Sequence, residues 1–168
     1  QLLTYKAERP KLLVFEADEY QNKFKYFHPK IVILTNIDYD HPDYFKNPTQ
    51  YKLAFKNFIK RIPRDGLFVY CDDDKNCRDV ARHAKCKKIG YGFSKYTDCR
   101  VENVTIKEGG MKFNLVSSQN TMSLTMTKNR NTHLEVESLG FRGSTSFKSK
   151  LLGNHNALNL SAAALCAA

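Results

Sequence analysis

A short apolar run that ends in polar residues lies between Ile31 and His41, and it constrains the fold more than any other stretch. It opens with β-branched residues and closes on Asp40 and His41, directly before Pro42. This pattern predicts a buried strand, Ile31–Asn36, that delivers polar side chains to its carboxyl end. In open α/β sheets, ligands bind outside the carboxyl ends of the strands. We therefore expect the functional site beside His41.

A second apolar run, Leu12–Phe15, ends in an acidic cluster that begins at Glu16. We expect Leu12–Glu16 to form the first buried strand of the sheet. Neighbouring strands that end in a carboxylate and an imidazole make a candidate cation site at Glu16 and His41. Oxygen-rich surroundings favour Mg²⁺ or Mn²⁺ there. An acidic residue at a strand end is also commonly an exposed end or a local cap.

Strand and helix patterns alternate through the first half of the chain. Pro48–Ile62 and Lys75–Ala84 have helical spacing, and Leu67–Cys71 and Lys87–Gly92 are strand-like. This alternation predicts a mostly parallel sheet flanked by helices, hence an α/β fold. Residues 17–29 are expected to form a loop or a short helix. One face of the first helix is expected in the core: Tyr51, Ala54, Phe55, Phe58, Ile59 and Ile62.

Three adjacent carboxylates, Asp72, Asp73 and Asp74, follow the strand Leu67–Cys71. They could bind a cation, or they could cap the next helix, because aspartate favours N-caps and first helical turns. We expect the cap.

The pattern changes after Phe93, where short strand-like runs are separated by turn residues. Gly109-Gly110 indicates a hairpin. We expect an antiparallel β layer added in the second half, a polar loop over residues 117–132, and one domain spanning 1–168. The runs are Val101–Ile106, Met111–Val116, Met122–Thr127 and His133–Ser138.

A helix rich in Ala and Leu, His155–Ala168, follows the turn Gly153-Asn154. His155 and Asn159 are four residues apart and share a face, with Asn156 beside them. Two amides can offer a donor and an acceptor together, as an adenine edge requires. An Asn/His start after a glycine turn is also a common helix beginning. The sequence contains no Gly-x-x-x-x-Gly-Lys-Ser/Thr phosphate cradle.

Composition bounds the class of protein. The 168 residues carry 27 basic and 17 acidic side chains, a net charge of +10. The lysines are scattered, so a solvated basic surface is the simplest account, and a nucleotide pocket fits as well as a nucleic-acid groove. The five cysteines include no Cys-x-x-Cys pair, which favours reduced thiols over zinc. No apolar run is long enough to predict a membrane span.

Four motifs, taken together, resemble the central ATP-binding domain of the Mur ligases. They occur in family order, with family-like spacing, over nearly the whole chain. They are Glu16-Ala17-Asp18-Glu19, Thr35-Asn36-Ile37 with Asp40-His41, Ile62-Pro63-x-x-Gly66, and Gly153-x-His155-Asn156-x-x-Asn159.

The resemblance implies a cytoplasmic bacterial enzyme of peptidoglycan precursor synthesis. Such enzymes use ATP and Mg²⁺ to phosphorylate a substrate carboxylate, and an amine then attacks the acyl phosphate. Glu16 and His41 match the family's metal-binding and catalytic residues, and Asn36 lies in a motif expected to contact substrate. The adenine-contacting positions match His155, Asn156 and Asn159.

Within the family, the chain is most similar to the branch that adds L-alanine to UDP-N-acetylmuramate. A murein tripeptide recycling ligase is the first alternative function, and a basic nucleic-acid-binding module is the second. The leading interpretation expects neither nucleic acid nor a membrane as a partner. Phe55 stands where several Mur ligases carry a carbamylated lysine, which fits the alanine-adding branch.

The resemblance also places three parts of the family outside these 168 residues. They are the phosphate-binding loop, the UDP-binding amino-terminal domain and the amino-acid-binding carboxyl-terminal domain. We therefore expect this stretch to be inactive as a ligase by itself.

Overall fold

A computed structural model describes residues 13–117, 134–137 and 143–167. Within them the strands form one seven-stranded sheet, in the order β1-β2-β3-β4-β5-β7-β6. The strands are Ile31–Leu34 (β1), Leu67–Cys71 (β2), Lys87–Gly92 (β3), Cys99–Lys107 (β4), Gly110–Ser117 (β5), Leu134–Glu137 (β6) and Ser144–Ser149 (β7). The helices are Pro48–Ile59 (α1), Lys75–Ala81 (α2) and Asn154–Ala167 (α3), and Tyr20–Tyr26 is a 3₁₀ helix.

The sheet has a parallel half and an antiparallel half. Strands β1, β2, β3 and β4 pair in parallel, and the remaining strands pair antiparallel, beginning with β4 and β5. The predicted α/β class and the predicted antiparallel second half are both confirmed. The antiparallel strands continue the same sheet, so the two halves share a ladder of backbone hydrogen bonds.

Helices cover both faces of the parallel half. Successive residues of β2 point to opposite faces. Phe68 packs in a cluster with α1, α2 and Phe24 of the 3₁₀ helix, whereas Val69 packs in a second cluster with α3. All six residues of the stripe predicted on the first helix are buried, as expected, although α1 ends at Ile59 and Ile62 lies in the turn that follows: Tyr51, Ala54, Phe55, Phe58, Ile59 and Ile62.

Local capping explains where two of the helices begin. The Asn47 side chain accepts a hydrogen bond from the Gln50 backbone N–H at 2.9 Å, and Pro48 occupies the first turn. The Asp74 carboxylate accepts from the Cys77 N–H at 2.6 Å at the start of α2. The predicted aspartate cap is therefore confirmed.

The predicted first strand, Leu12–Glu16, is wrong for the part that the structure describes, which starts at Leu13. Only an isolated bridge at Val14 has strand character, and Leu13 and Val14 are 60% and 62% exposed. A short apolar run has no periodicity long enough to separate a strand from other structures, and it forms one only where a neighbouring edge pairs with it.

One difference concerns the second half. Strand β7 was not predicted, because its alternating serine and threonine pattern is nearly as polar as a loop; Thr145, Phe147 and Ser149 nevertheless face the core. The strand expected at His133–Ser138 is present as Leu134–Glu137. The one expected at Met122–Thr127 lies outside the described residues.

The antiparallel half extends past the end of the parallel half. Gly92, the last residue of β3, pairs with Arg100, only the second residue of β4. The rest of β4 therefore continues beyond the carboxyl edge of the parallel strands. Strand β7 ends at Ser149, which pairs with Met111 of β5, and Met111 pairs with Ile106 near the far end of β4. Helix α3 thus begins on the carboxyl side of the parallel sheet.

Candidate functional site at the carboxyl edge

Three loops meet at the carboxyl edge of the parallel strands. They follow β1, β2 and β3, and the first two start with the polar residues Thr35 and Asp72. The extended part of β4 and the start of α3 lie on the same side of the sheet. This is the position at which open α/β sheets bind ligands. The topology therefore brings the predicted residues after β1 and at the start of α3 to one side of the molecule.

His41 has a strained backbone in the loop after β1. Its φ is +56°, in the left-handed region that non-glycine residues rarely adopt, and it directly precedes Pro42. Proline further restricts the residue before it to extended conformations. The His41 carbonyl accepts hydrogen bonds from the backbone N–H groups of Tyr44 and Phe45, at 3.0 and 2.9 Å, which close the turn. Strain of this kind persists where the surroundings over-determine it, often at functional sites.

The imidazole of His41 faces two carboxylates and one aromatic ring. Its Nε2 lies 3.6 Å from Glu19 Oε1 and 4.0 Å from Asp40 Oδ2. The ring of Tyr20 lies 4.7 Å from the imidazole, centroid to centroid. About a third of the His41 side chain remains exposed, at 34%. The imidazole is thus held in place while part of it stays open to solvent.

Tyrosine hydroxyls hold two carboxylates in this part of the molecule, and one of them, Glu19, faces His41. The Tyr51 hydroxyl donates to Glu19 Oε1 at 2.9 Å, and the Tyr20 hydroxyl donates to Asp43 Oδ2 at 2.7 Å. Tyr51 is only 4% exposed. Burial raises the pKa of Tyr51 well above its usual range, and the Glu19 carboxylate adds to that rise. Tyr51 therefore stays a neutral hydrogen-bond donor at any physiological pH.

Glu16, the carboxylate predicted as a metal ligand, lies exposed outside regular structure. Among the described residues, no hydrogen bond or ion pair joins Glu16 to His41; the neighbouring carboxylate is Glu19. The sequence analysis missed Glu19, although it stands three residues after Glu16 in the same acidic cluster. Only the path of the chain into the 3₁₀ helix shows which carboxylate faces the imidazole.

The donors around His41 fit part of the coordination sphere of a divalent cation. Imidazole nitrogen and carboxylate oxygens are suitable donors for Mn²⁺, and carboxylates suit Mg²⁺. Within the described ranges, no three His, Cys, Asp or Glu side chains form a complete metal-binding group. Mg²⁺ commonly takes one or two protein ligands and completes its sphere with water and substrate phosphates. The arrangement suits a cation shared with a phosphorylated ligand.

Asn36, the predicted substrate-binding residue, is exposed two residues after β1. Its amide donates to Asp38 Oδ2 at 2.8 Å, and its carbonyl oxygen accepts from the Thr35 hydroxyl at 3.2 Å. The side chain is held at the sheet edge by neighbours in its own loop, on the solvent side of the site.

At the start of α3, His155 and Asn159 are exposed to solvent, whereas Asn156 makes a hydrogen bond to the turn before the helix. The Asn156 amide donates to the Leu152 carbonyl at 2.8 Å. Gly153 has a φ of +99°, and a side chain there would approach the His155 ring to about 2.9 Å. This position therefore favours glycine for its backbone conformation, and a side chain there would also displace the exposed His155 ring. The turn fixes the beginning of α3 and leaves two predicted nucleotide-binding side chains accessible.

The aspartates after β2 have mainly backbone partners. Asp73 accepts hydrogen bonds from the backbone N–H groups of Phe93 and Ser94, at 2.6 and 3.1 Å. It thereby ties the loop after β2 to the loop after β3. Asp74 caps α2. Burial raises the pKa of Asp72, although Arg78 opposes that rise. Nothing in this geometry resembles a cation site.

Two solved structures of MurF have a similar fold. MurF from Acinetobacter baumannii superposes with a TM-score of 0.59 at 16% identity, covering 86% of this chain and 27% of that one. MurF from Thermotoga maritima, solved in complex with ADP, gives 0.58 at 19% identity over 84% of this chain and 27% of that one. At these identities the comparisons establish the fold, that of the central domain of the Mur ligases.

The sequence comparison establishes the family. The model of the Mur ligase middle domain matches residues 1–167, and the chain belongs to that family.

Relatives in the sequence comparison are named UDP-N-acetylmuramate–L-alanine ligase. The Myxococcus xanthus protein is 31% identical over 154 residues, 92% of this chain and 28% of its own length. The Clostridium tetani protein is 35% identical over 108 residues, 64% of this chain and 24% of its own length. The chain thus spans about a quarter of each of these relatives. Among the described residues, no helix is long and apolar enough to cross a bilayer.

Proposed function

We propose that this chain is the ATP-handling middle domain of a bacterial, cytoplasmic ligase that joins L-alanine to UDP-N-acetylmuramate. The observation that carries the proposal is the 31% identity over 92% of the chain to a protein named for that reaction. In the proposed reaction, ATP phosphorylates the sugar carboxylate, and the amine of alanine displaces phosphate from the acyl phosphate. The enzyme mainly positions the reactants and stabilises charge on the transferring phosphoryl group.

The loop after β1 is proposed to hold the cation. His41 is the proposed ligand, and Glu19 and Asp40 are the carboxylates beside it. Glu16, the ligand that the sequence predicts, stands three residues before Glu19 and remains a proposed ligand. A divalent cation, Mg²⁺ or Mn²⁺, would supply Lewis-acid stabilisation of phosphoryl charge. The strained backbone of His41 and its partly exposed imidazole support this assignment.

The start of α3 is proposed to receive the adenine of ATP. His155 and Asn159 are exposed there, and the Asn156 amide keeps one proton free beyond its bond to Leu152. The position of α3 beyond the carboxyl edge supports a nucleotide that bridges this helix and the loop after β1. Asn36, at the same edge, is proposed to contact the sugar substrate.

The proposal is tested by phosphate release from the intact protein with ATP, Mg²⁺ and UDP-N-acetylmuramate, with and without L-alanine. We expect release that depends on both substrates. Release that needs an L-alanyl-γ-D-glutamyl-diaminopimelate tripeptide instead of alanine would establish the recycling ligase. Absence of release with either acceptor would reject the ligase, and salt-dependent oligonucleotide binding would then test the nucleic-acid alternative.

A further inference from the structure

We propose that Glu19, Tyr20 and Tyr51 act as positioning residues for His41, and we call these three the His41 brace. They fix the direction in which the imidazole points, and the cation affinity of the site depends on them. The part of this inference that concerns the cation rests on the proposed function. The part that concerns the imidazole rests on the geometry of the described residues alone.

The brace joins three separate parts of the chain around one ring. Glu19 and Tyr20 stand at the start of the 3₁₀ helix, His41 lies in the loop after β1, and Tyr51 lies in α1. The ring of Tyr20 lies 4.7 Å from the imidazole, centroid to centroid, with the two planes tilted by 41°, and the Glu19 carboxylate lies 3.6 Å from Nε2. The imidazole thus has two neighbours from a different segment of the chain.

In the described part of the chain, Tyr51 orients the Glu19 carboxylate and makes no hydrogen bond to His41. Its hydroxyl donates to Glu19 Oε1 at 2.9 Å from a ring that is almost fully buried. That ring packs edge-on against Phe45, Tyr39 and Phe55, with centroids 5.0, 5.8 and 5.1 Å away. A buried, packed tyrosine is a fixed donor, so it selects one orientation of the carboxylate. The oriented carboxylate in turn faces the imidazole nitrogen.

The distance between Glu19 and His41 leaves the imidazole nitrogen free of a direct hydrogen bond to the brace. At 3.6 Å the carboxylate and Nε2 are too far apart for a direct hydrogen bond. The imidazole nitrogen therefore remains available to a ligand, while the carboxylate holds negative charge beside it. Groups that orient a metal-binding histidine typically change metal affinity or activity about 10–100-fold when mutated.

The experiment compares Glu19→Gln and Tyr51→Phe with Tyr39→Phe in the intact protein. Tyr39 is the matched control because it packs against Tyr51, but its hydroxyl donates to the Phe45 carbonyl and not to Glu19. Unfolding temperatures of all variants establish that each one is folded. Tyr51→Phe removes one oxygen and keeps the ring, so it tests the hydrogen bond without opening the core.

Two readouts separate the brace from the proposed function. The first is the order of the His41 ring, measured by NMR relaxation on protein with ¹³C-labelled histidine and no added metal; the His41 signal is identified by its loss in His41→Asn. The second is Mn²⁺ affinity, measured by electron paramagnetic resonance with ATP present. We expect a more mobile ring and about 10-fold weaker Mn²⁺ binding in both brace variants, and wild-type values in Tyr39→Phe.

The double variant Glu19→Gln/Tyr51→Phe tests whether the two residues act through one contact. We expect it to bind Mn²⁺ no more weakly than Glu19→Gln alone, because the neutral glutamine amide leaves no negative charge beside the imidazole for Tyr51 to orient. Wild-type ring order in both single variants would overturn the brace, whatever their activity. A mobile ring in the variants, with no Mn²⁺ bound by the wild-type protein, would support the brace and overturn the proposed cation site.

Discussion

Two neighbouring loops at the carboxyl edge are both rich in aspartate but have different structures. The loop after β1 follows a half-exposed strand, the loop after β2 follows a mostly buried one, and the two strands pair in parallel. In the first loop, side chains contact other side chains from distant segments, and His41 has a strained backbone. In the second, Asp73 and Asp74 accept backbone N–H groups.

The difference teaches how to separate a binding site from a structural cluster. A carboxylate that is occupied by backbone N–H groups satisfies the chain itself and has less capacity for a ligand. A carboxylate that accepts one hydrogen bond from a tyrosine, beside a partly exposed imidazole, keeps a second oxygen available to a ligand. The hydrogen-bond partners of the acidic residues therefore distinguish a binding site from a structural cluster. The number of acidic residues does not.

The largest expected effect follows from His41→Asn. Asparagine tolerates a left-handed backbone better than most residues, so the substitution removes the imidazole with little added strain. We expect phosphate release by the intact protein to fall on the order of 1,000-fold, since lost cation stabilisation costs several kcal/mol. The control is His28→Asn, because His28 is exposed beside Arg61. Wild-type turnover in His41→Asn would show that the proposed cation site does not lie in this loop.

The next effect concerns Asp73 and is expected in stability. Asp73→Ala removes the acceptor for two backbone N–H groups and should lower the free energy of unfolding by about 2 kcal/mol. Urea denaturation measures it, and Asp73→Asn, which keeps one acceptor oxygen, should lose less. Turnover should change little below the unfolding transition. If Mg²⁺ alone stabilised the wild-type protein but not Asp73→Ala, the second loop would be a cation site after all.

A smaller effect is expected at Asn36 in the first loop. Asn36→Ala should raise the KM for the sugar substrate about 5-fold with kcat nearly unchanged, because one hydrogen bond to a ligand contributes about 1 kcal/mol. Steady-state kinetics measure both constants. Asn57→Ala, on the exposed side of α1, serves as the control. An equal change in both variants would exclude a contact between Asn36 and substrate.

The smallest effect is expected at the cap of α2. Asp74→Ala should destabilise the protein by about 1 kcal/mol, and Asp74→Asn by only a fraction of that, because asparagine also caps helices. Thermal unfolding compares the two variants. The comparison between the loops predicts that neither changes the KM for ATP, and a rise in that KM would contradict a purely structural second loop.

Local sequence patterns predicted the elements whose residues interact with near neighbours. The stripe on α1 follows from helical spacing, and β2 and β3 have the predicted bounds, Leu67–Cys71 and Lys87–Gly92. The Asp74 cap depends on a backbone N–H three residues away. Such features were predictable because the interacting groups lie within one turn or one strand. The polar strand β7 was not, since its pairing with β5 decides its structure.

The candidate site also has a part that the sequence predicts and a part that only the folded chain shows. The sequence by itself placed the polar residues after β1 at the carboxyl end of a parallel strand, because strand direction fixes where each strand ends. The start of α3 follows β7, a strand that the sequence did not predict, so only the register of β7, β5 and β4 places it on the same side. Only the tertiary structure decided which carboxylate faces His41. Glu19 and Tyr51 are 32 residues apart in the chain, and their 2.9 Å hydrogen bond exists because the 3₁₀ helix packs against α1. Packing between distant segments has no local sequence pattern, so the partners of His41 could be found only in the folded chain.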